Sequence, residues 1–509
     1  MATVFVNGNN LNIEDVIKVA RENYEVKLTD ESIDLINKSR RTVDRFVEEG
    51  KTVYGITTGF GKFSDVLISP EETKILQRNL IVSHSCGVGD SIDIDEIRAV
   101  MLLRINALAK GYSGIRLSTL STLIDMLNKG VHPYIPEKGS LGASGDLAPL
   151  SHMVLVMIGE GKAFYKGKLM DGSAAMLAAG IDVVELTSKE GLALINGTQV
   201  MTGIGALATY DAINIMKMAD ICGAMTMEAL NGIIDAFDYR IHRVREHEGQ
   251  MATSRNVRNL LTYSENITSQ GDIRVQDPYT IRCIPQVHGA SKDCVRYSVN
   301  KINIEINSVT DNPIIFSEDY QAISGGNFHG QPMAITFDFL RIGVAEMANI
   351  SERRIERLVN PMLSGLPPFL TEKGGINSGF MIAQYSAASL VSENKVLSHP
   401  ASVDSIPSSA NQEDHVSMGT ISARKLKEIV TNTMNVLGIE LLCAAQALEF
   451  KGKGSLGTGT KIAFDILRED VEKLGNDRIM NLDIDKAYKM IKNNKIVDAI
   501  EEEIGAMSI

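Results

Sequence analysis

Two apolar stretches of about thirty residues do most to limit how this chain folds. Residues 200–230 and 417–450 carry apolar side chains at three- and four-residue intervals with few breakers, the period of an α-helix. A helix of that length spans about 45 Å, enough to run the length of an elongated bundle. The first stretch is interrupted by Asp211, Asn214, Lys217, Asp220 and Glu228, so it reads as a buried bundle helix and not as a membrane span. Both are apolar on most faces, which points to burial by neighbouring chains as well as by their own. Residues 332–359, 378–397 and 483–504 repeat the pattern, and strand-like alternation is scarce. The expected fold class is all-α. At 509 residues the chain exceeds what one small core organises. It is expected to divide into a loop-rich region over 1–200 and a long-helix bundle over 201–509.

The formal net charge of -12 argues against nucleic acid or an anionic membrane as partner, since both call for basic patches. A small anionic substrate then needs a local cation. Residues 1–10 hold no basic stretch followed by an apolar run, so no secretory signal is expected. Cys86, Cys222, Cys283, Cys294 and Cys443 are scattered without C-x-x-C spacing; reduced thiols in a cytoplasm are the simplest account. The nine histidines lack metal-ligand spacing, and no metal is expected. Gly452-Lys453-Gly454-Ser455-Leu456-Gly457 fits G-x-G-x-x-G, but it follows a helical pattern instead of a strand, which argues against a nucleotide site.

The chemistry concentrates in a loop containing Ala143-Ser144-Gly145. In that order the tripeptide can close on itself. The Gly145 amide nitrogen reaches the Ala143 carbonyl carbon, an approach that larger side chains obstruct. Loss of that water, and of a second from the Ser144 side chain, leaves an imidazolone with an exocyclic methylidene that accepts an amine. The same residues also suit an ordinary glycine-rich turn feeding a helix, with Asp146 near its N-terminus and Pro149 in its first turn.

Further blocks accompany it: Tyr54-Gly55-Ile56-Thr57-Thr58-Gly59-Phe60-Gly61, Ser83-His84, Asn196-Gly197-Thr198-Gln199, Gln276-Asp277-Pro278-Tyr279, Gly325-Gly326-Asn327-Phe328-His329, Ser402-Val403-Asp404-Ser405-Ile406-Pro407 and Ser409-Ala410-Asn411-Gln412-Glu413-Asp414-His415. With the tripeptide, from about Tyr54 to about Glu449, they resemble the aromatic amino acid ammonia-lyase family. The resemblance implies an elongated helical bundle of the aspartase/fumarase-like type. Its smaller N-terminal region carries a 4-methylidene-imidazol-5-one (MIO) made from Ala143, Ser144 and Gly145, with no external cofactor. It further implies a homotetramer in which three chains meet at each active site, with the 276–282 loop and the Phe328 region reaching in from neighbours.

Ammonia elimination needs an electrophile, because an amine leaves poorly, and a strong base, because the β-hydrogen is barely acidic. A tyrosine serves as base if its pKa drops from about 10 toward the operating pH. By resemblance Tyr54 is that base, and Tyr279 handles protons near the cofactor. Arg282 grips the substrate carboxylate with its guanidinium fork, Asn196 and Gln276 orient electrophile and substrate, and Phe328 lines the site. Arg282 lies three residues after Tyr279, so both face one pocket if Pro278 opens a helical turn. Read without the family, Tyr54 packs beside a glycine-rich turn, Arg282 makes a surface ion pair, Asn196 marks a turn and Phe328 is core.

Ser83-His84 resembles the histidine-selective form of the family's selectivity switch, and Glu413 suits an imidazole N–H. Otherwise His84 is a satisfied loop histidine and Glu413 a helix-start carboxylate. The expected reaction converts L-histidine into trans-urocanate and ammonia, the first step of histidine degradation. A phenylalanine or tyrosine ammonia-lyase or aminomutase is the nearer alternative; a non-catalytic helical oligomer is the distant one. Ile284, His288 and Gln331 depart from what the family leads one to expect, which bears on substrate preference.

Overall fold

Apolar periodicity gives long helices in the computed structural model, which describes residues 2–59, 68, 70–452 and 454–509. They run over Gln199–Ala229, Gln331–Val359 and Gly419–Glu449. Pro332 falls in a first turn, where its missing N–H has no helical partner to lose. Residues 378–397 form a helix only from Met381, because Gly379 stands left-handed at φ 56°. The expected helix over 483–504 is instead two, Met480–Lys492 and Lys495–Ile504. Asn494 breaks them at φ 58°, a left-handed conformation that asparagine tolerates better than most residues. The new start turns Ile496, Val497 and Ile500 inward.

The described chain gathers into two compact units. Unit 1 takes Met1–Tyr210, Val299–Asp338 and Pro400–Arg424; unit 2 takes Asp211–Ser298, Phe339–His399 and Lys425–Ile509. Two segments from beyond residue 200 thus belong with the N-terminal region. Among the described residues, unit 1 also holds every strand. These form four small sheets, from the parallel pair Thr3–Val6 and Glu25–Leu28 to the antiparallel hairpin Ile314–Phe316 and Gln321–Ile323. The helices dominate, and the fold class is all-α. No helix among the described residues is long and apolar enough to cross a membrane. Gly452 and Gly454 follow helix Gly419–Glu449, not a strand; Lys453 between them lies outside the described residues.

Unit 1 is organised around helix Ile94–Ala109, buried over nearly its whole length. Its Arg98 donates to the carbonyls of Val19 and Leu127 and, through Nη1, to His132 Nε2 at 3.2 Å. Burial, then the nearby Arg98 charge, pushes the His132 imidazole down to about 4. The unfolded chain takes up this proton near pH 6.5 and the fold does not, so stability is intact above that pH and falls as pH drops toward 4. The loss expected by pH 4 is about 3 kcal/mol. Denaturant midpoints measured between pH 4 and 7 check this, and His132→Asn should flatten the slope.

Among its described residues unit 2 is built of helices joined by loops, and it buries a charged chain of contacts. His288 Nδ1 lies 2.8 Å from Asp220, and Lys292 Nζ lies 2.6 Å from the other oxygen of the same carboxylate. Arg354 Nη1 meets His288 Nε2 at 3.3 Å, and its remaining nitrogens clamp Glu440. Burial is the largest influence holding His288 neutral. His288 therefore serves this buried network. Ile284, wholly buried, packs beside Gly223.

Candidate active site

Ala143-Ser144-Gly145 sits in a rigid cradle of unit 1. Asp146 stands at the N-cap of helix Leu147–Met157, with Pro149 in its first turn, so the ordinary turn-into-helix pattern and the tripeptide coexist. The fully buried Asp146 carboxylate accepts from Val200 N and Met201 N, from Ser140 Oγ and from Thr420 Oγ1. Burial pushes this carboxyl up, and the four donors pull it back. Its own N–H donates to Gly197 O at 2.7 Å. Gly145 stands left-handed at φ 71°, and a Cβ there would lie 2.1 Å from Gly197 O. Only glycine fits. Ala143 joins a small apolar cluster with Ala401, Val416 and Met418. Bare Gly145 and small Ala143 are what ring closure demands, so these residues fit the imidazolone.

Two further turns close on this loop. Met418 N donates to Leu141 O, Ser417 Oγ to Gly142 O, and Gly330 N to Gly142 O. The last bond ties the half-buried Phe328 turn to the tripeptide loop of its own chain. Ser144 Oγ donates to Glu413 Oε1 at 3.0 Å, and Ser408 Oγ to Glu413 Oε2 at 2.8 Å. Glu413 lies in a loop bridged to Ser408, not at a helix start. His84 is the last residue of helix Pro70–His84, not a loop residue. Burial lowers its pKa, opposed by a hydrogen bond with the Leu80 backbone and by the Glu413 carboxylate. The two residues singled out for ring selectivity are therefore close enough to act on one another.

Asn196 ends helix Glu190–Ile195 and is buried. Its Nδ2 donates to Asn312 O at 3.2 Å and to Asp311 at 3.4 Å, while its carbonyl accepts from the buried Arg104. Burial brings the Arg104 guanidinium down to about 10. Tyr54 lines a hollow with Lys51, Pro313 and Ser324. The sequence block continuing from Tyr54 runs into residues 60–67, which lie outside the described residues.

Gln276, Tyr279 and Arg282 belong to unit 2. Pro278 opens helix Tyr279–Arg282, and the Arg282 guanidinium lies over the Tyr279 ring, 4.6 Å from its centroid. Gln276 and Arg282 line a hollow of about 700 Å³, with Asp277 and Cys283. Asp277 anchors the loop by accepting from Ile233 N and Arg274. Arg282 makes no carboxylate pair among the described residues, and its Nε is buried without a hydrogen-bond partner. Sequence reasoning passed over Asp277, Ser408 and the full role of Asp146. The partners of Asp146 at Val200, Met201 and Thr420 lie far along the chain, where no short motif reaches.

The described residues form an all-α scaffold that carries the tripeptide and its neighbouring motif residues on turns and helix ends. The aromatic amino acid lyase family matches residues 11–469. The chain is 65% identical over 504 residues to the histidine ammonia-lyase of Alkaliphilus oremlandii, covering 99% of each. It is also similar to the crystal structure of histidine ammonia-lyase from Trypanosoma cruzi, at 41% identity and TM-score 0.92 over 98% of this chain and 95% of that one. The tyrosine aminomutase of Streptomyces globisporus superposes with TM-score 0.95 at 38% identity over 99% of both chains. The chain belongs to the aromatic amino acid lyase family and is a carbon–nitrogen lyase. Enzymes of this family generally depend on MIO and act on amino acids.

Proposed function

We propose that the chain eliminates ammonia from L-histidine to give trans-urocanate, the first step of histidine degradation, using an MIO formed from Ala143, Ser144 and Gly145. The observation that carries this reading is the 3.0 Å hydrogen bond between Ser144 and Glu413, which sets a carboxylate fit for an imidazole N–H against the residue that becomes the electrophile. The MIO supplies an electrophilic carbon for an amine. Tyr54 removes the β-proton, and Tyr279 carries protons near the site. Arg282, whose Nε is buried without a hydrogen-bond partner, holds the substrate carboxylate bidentately. Gln276 and Asn196 orient the reacting groups by hydrogen bonds, and Phe328 lines the pocket. Glu413 accepts the ring N–H, and His84, kept neutral by burial, offers the ring a second hydrogen-bond partner. The assembly is a homotetramer in which the 276–282 loop of one protomer completes the Ser144 site of another.

Ultraviolet-monitored incubation with L-histidine, L-tyrosine and L-phenylalanine tests the reading, since each elimination product gains a conjugated double bond. Urocanate from L-histidine alone is expected. Turnover of tyrosine or phenylalanine instead would move the chain toward a phenylalanine or tyrosine ammonia-lyase or aminomutase, and product identity would decide between them. Run at falling protein concentration, the same assay should lose specific activity as protomers part. Full activity from isolated protomers would contradict the shared site.

A further inference from the structure

Two turns of unit 1 that carry proposed site residues are joined by a histidine with no role so far. His329 follows Phe328. Its Nε2 lies 3.1 Å from the His415 carbonyl oxygen, and its Nδ1 lies 3.3 Å from Gln331 N. A carbonyl only accepts and a backbone N–H only donates, so the ring is the neutral tautomer with its proton on Nε2. The His415 ring stacks on it, with centroids 5.8 Å apart and planes 6° from parallel.

The stretch that His329 grips lies between two anchors of the Glu413 loop. On one side Glu413 and Ser408 exchange both backbone hydrogen bonds. On the other Val416 is wholly buried beside Ala143 and Met418, and its N–H donates to Ser405 Oγ. Asp414 and His415 between them are exposed. The bond from His329 holds this exposed stretch to the Phe328 turn. That turn is itself tied to Gly142, so the bond refers the Glu413 loop back to the tripeptide.

We propose that His329 is a positioning residue: by donating to the His415 carbonyl it fixes the Glu413 loop against the Phe328 turn and sets where the Glu413 carboxylate meets the polar ring of the substrate. This rests on the reading of Glu413 as the ring acceptor. A misplacement of about 1 Å is enough to weaken a site whose contacts are single hydrogen bonds, and His329 acts at that scale without touching substrate.

Two substitutions separate its two hydrogen bonds. His329→Gln keeps a donor near the Nε2 position and gives up the acceptor for Gln331 N–H. His329→Asn keeps an acceptor near Nδ1 and cannot reach His415 O. With L-histidine, His329→Gln should stay within about twofold of wild type in kcat/KM, and His329→Asn should fall about tenfold, the worth of one hydrogen bond, chiefly through KM. Intact mass should show the loss of two waters in both variants as in wild type, which separates positioning from cofactor formation. Equal losses in the two variants, a loss confined to His329→Gln, or failure of either to shed the two waters would overturn the proposal. If wild type itself leaves L-histidine untouched, the reading of Glu413 has failed, and the tie with it. If wild type turns it over and His329→Asn matches it, the tie alone has failed.

Discussion

Gly145→Ala should leave a protein that does not shed two waters and has lost ammonia elimination by on the order of 10⁴-fold or more, the scale seen when the group doing the covalent chemistry is removed. Two effects combine. Gly145 stands at φ 71°, which costs a residue with a Cβ about 1–2 kcal/mol. The new methyl would also lie 2.1 Å from Gly197 O and 2.3 Å from Gly197 C. Neither strand of that contact is free to yield. Asp146 is held by four donors on its carboxylate and by its own bond to Gly197 O, while the neighbouring Asn196 carbonyl is fastened to Arg104. The loop must therefore move as a whole, and with it the approach of the Gly145 nitrogen to the Ala143 carbonyl carbon. Intact mass reads the waters, and urocanate absorbance reads the turnover. Ser144→Ala gives a control that keeps the backbone: it removes the hydroxyl that donates to Glu413 and with it the only source of the second water, so its mass should fall by at most one water and it should be inactive. Normal turnover in either variant would remove the tripeptide from the chemistry.

How much of this was visible in the chain depends on how local the cause is. The long helices were, because apolar spacing over some thirty residues has few competing solutions; residues 200–230 came out as Gln199–Ala229. The region 483–504 was misread because its interruption, Asn493-Asn494, is a weak signal: asparagine sits in helices often enough that periodicity outvotes it until its left-handed φ is seen. Short motifs named Tyr54, Asn196, Glu413 and Arg282, yet not what surrounds them. Asp146 and Thr420 are 274 residues apart, and Ser144 and Glu413 are 269 apart. No spacing rule joins such pairs; tertiary packing does. The departures at Ile284, His288 and Gln331 also changed meaning in three dimensions. His288 is a member of a buried charged chain, Ile284 is core, and Gln331 starts a helix with its N–H on His329.

That buried chain carries the largest stability effect expected outside the tripeptide. Glu440→Ala should lower unfolding stability by about 3–5 kcal/mol, because removing one partner of a buried ion pair strands the other. Arg354 is wholly buried, with its Nη2 2.8 Å from Glu440 and its Nε closing the fork. Thr226 and Ser351 donate to the same carboxylate at 2.9 and 2.6 Å. Without Glu440 a guanidinium and two hydroxyls lose their acceptor together, and the nearest relief, His288, already takes one Arg354 N–H and donates to Asp220. Denaturant unfolding followed by circular dichroism reads the shift in midpoint. The double variant Arg354→Met with Glu440→Leu should recover most of the loss, since it removes the desolvated charges as a pair and fills the space with apolar side chains. A cost for Glu440→Ala below about 1 kcal/mol would mean that Arg354 finds solvent or another carboxylate, and that the charged chain through His288 is not what holds these helices of unit 2 together.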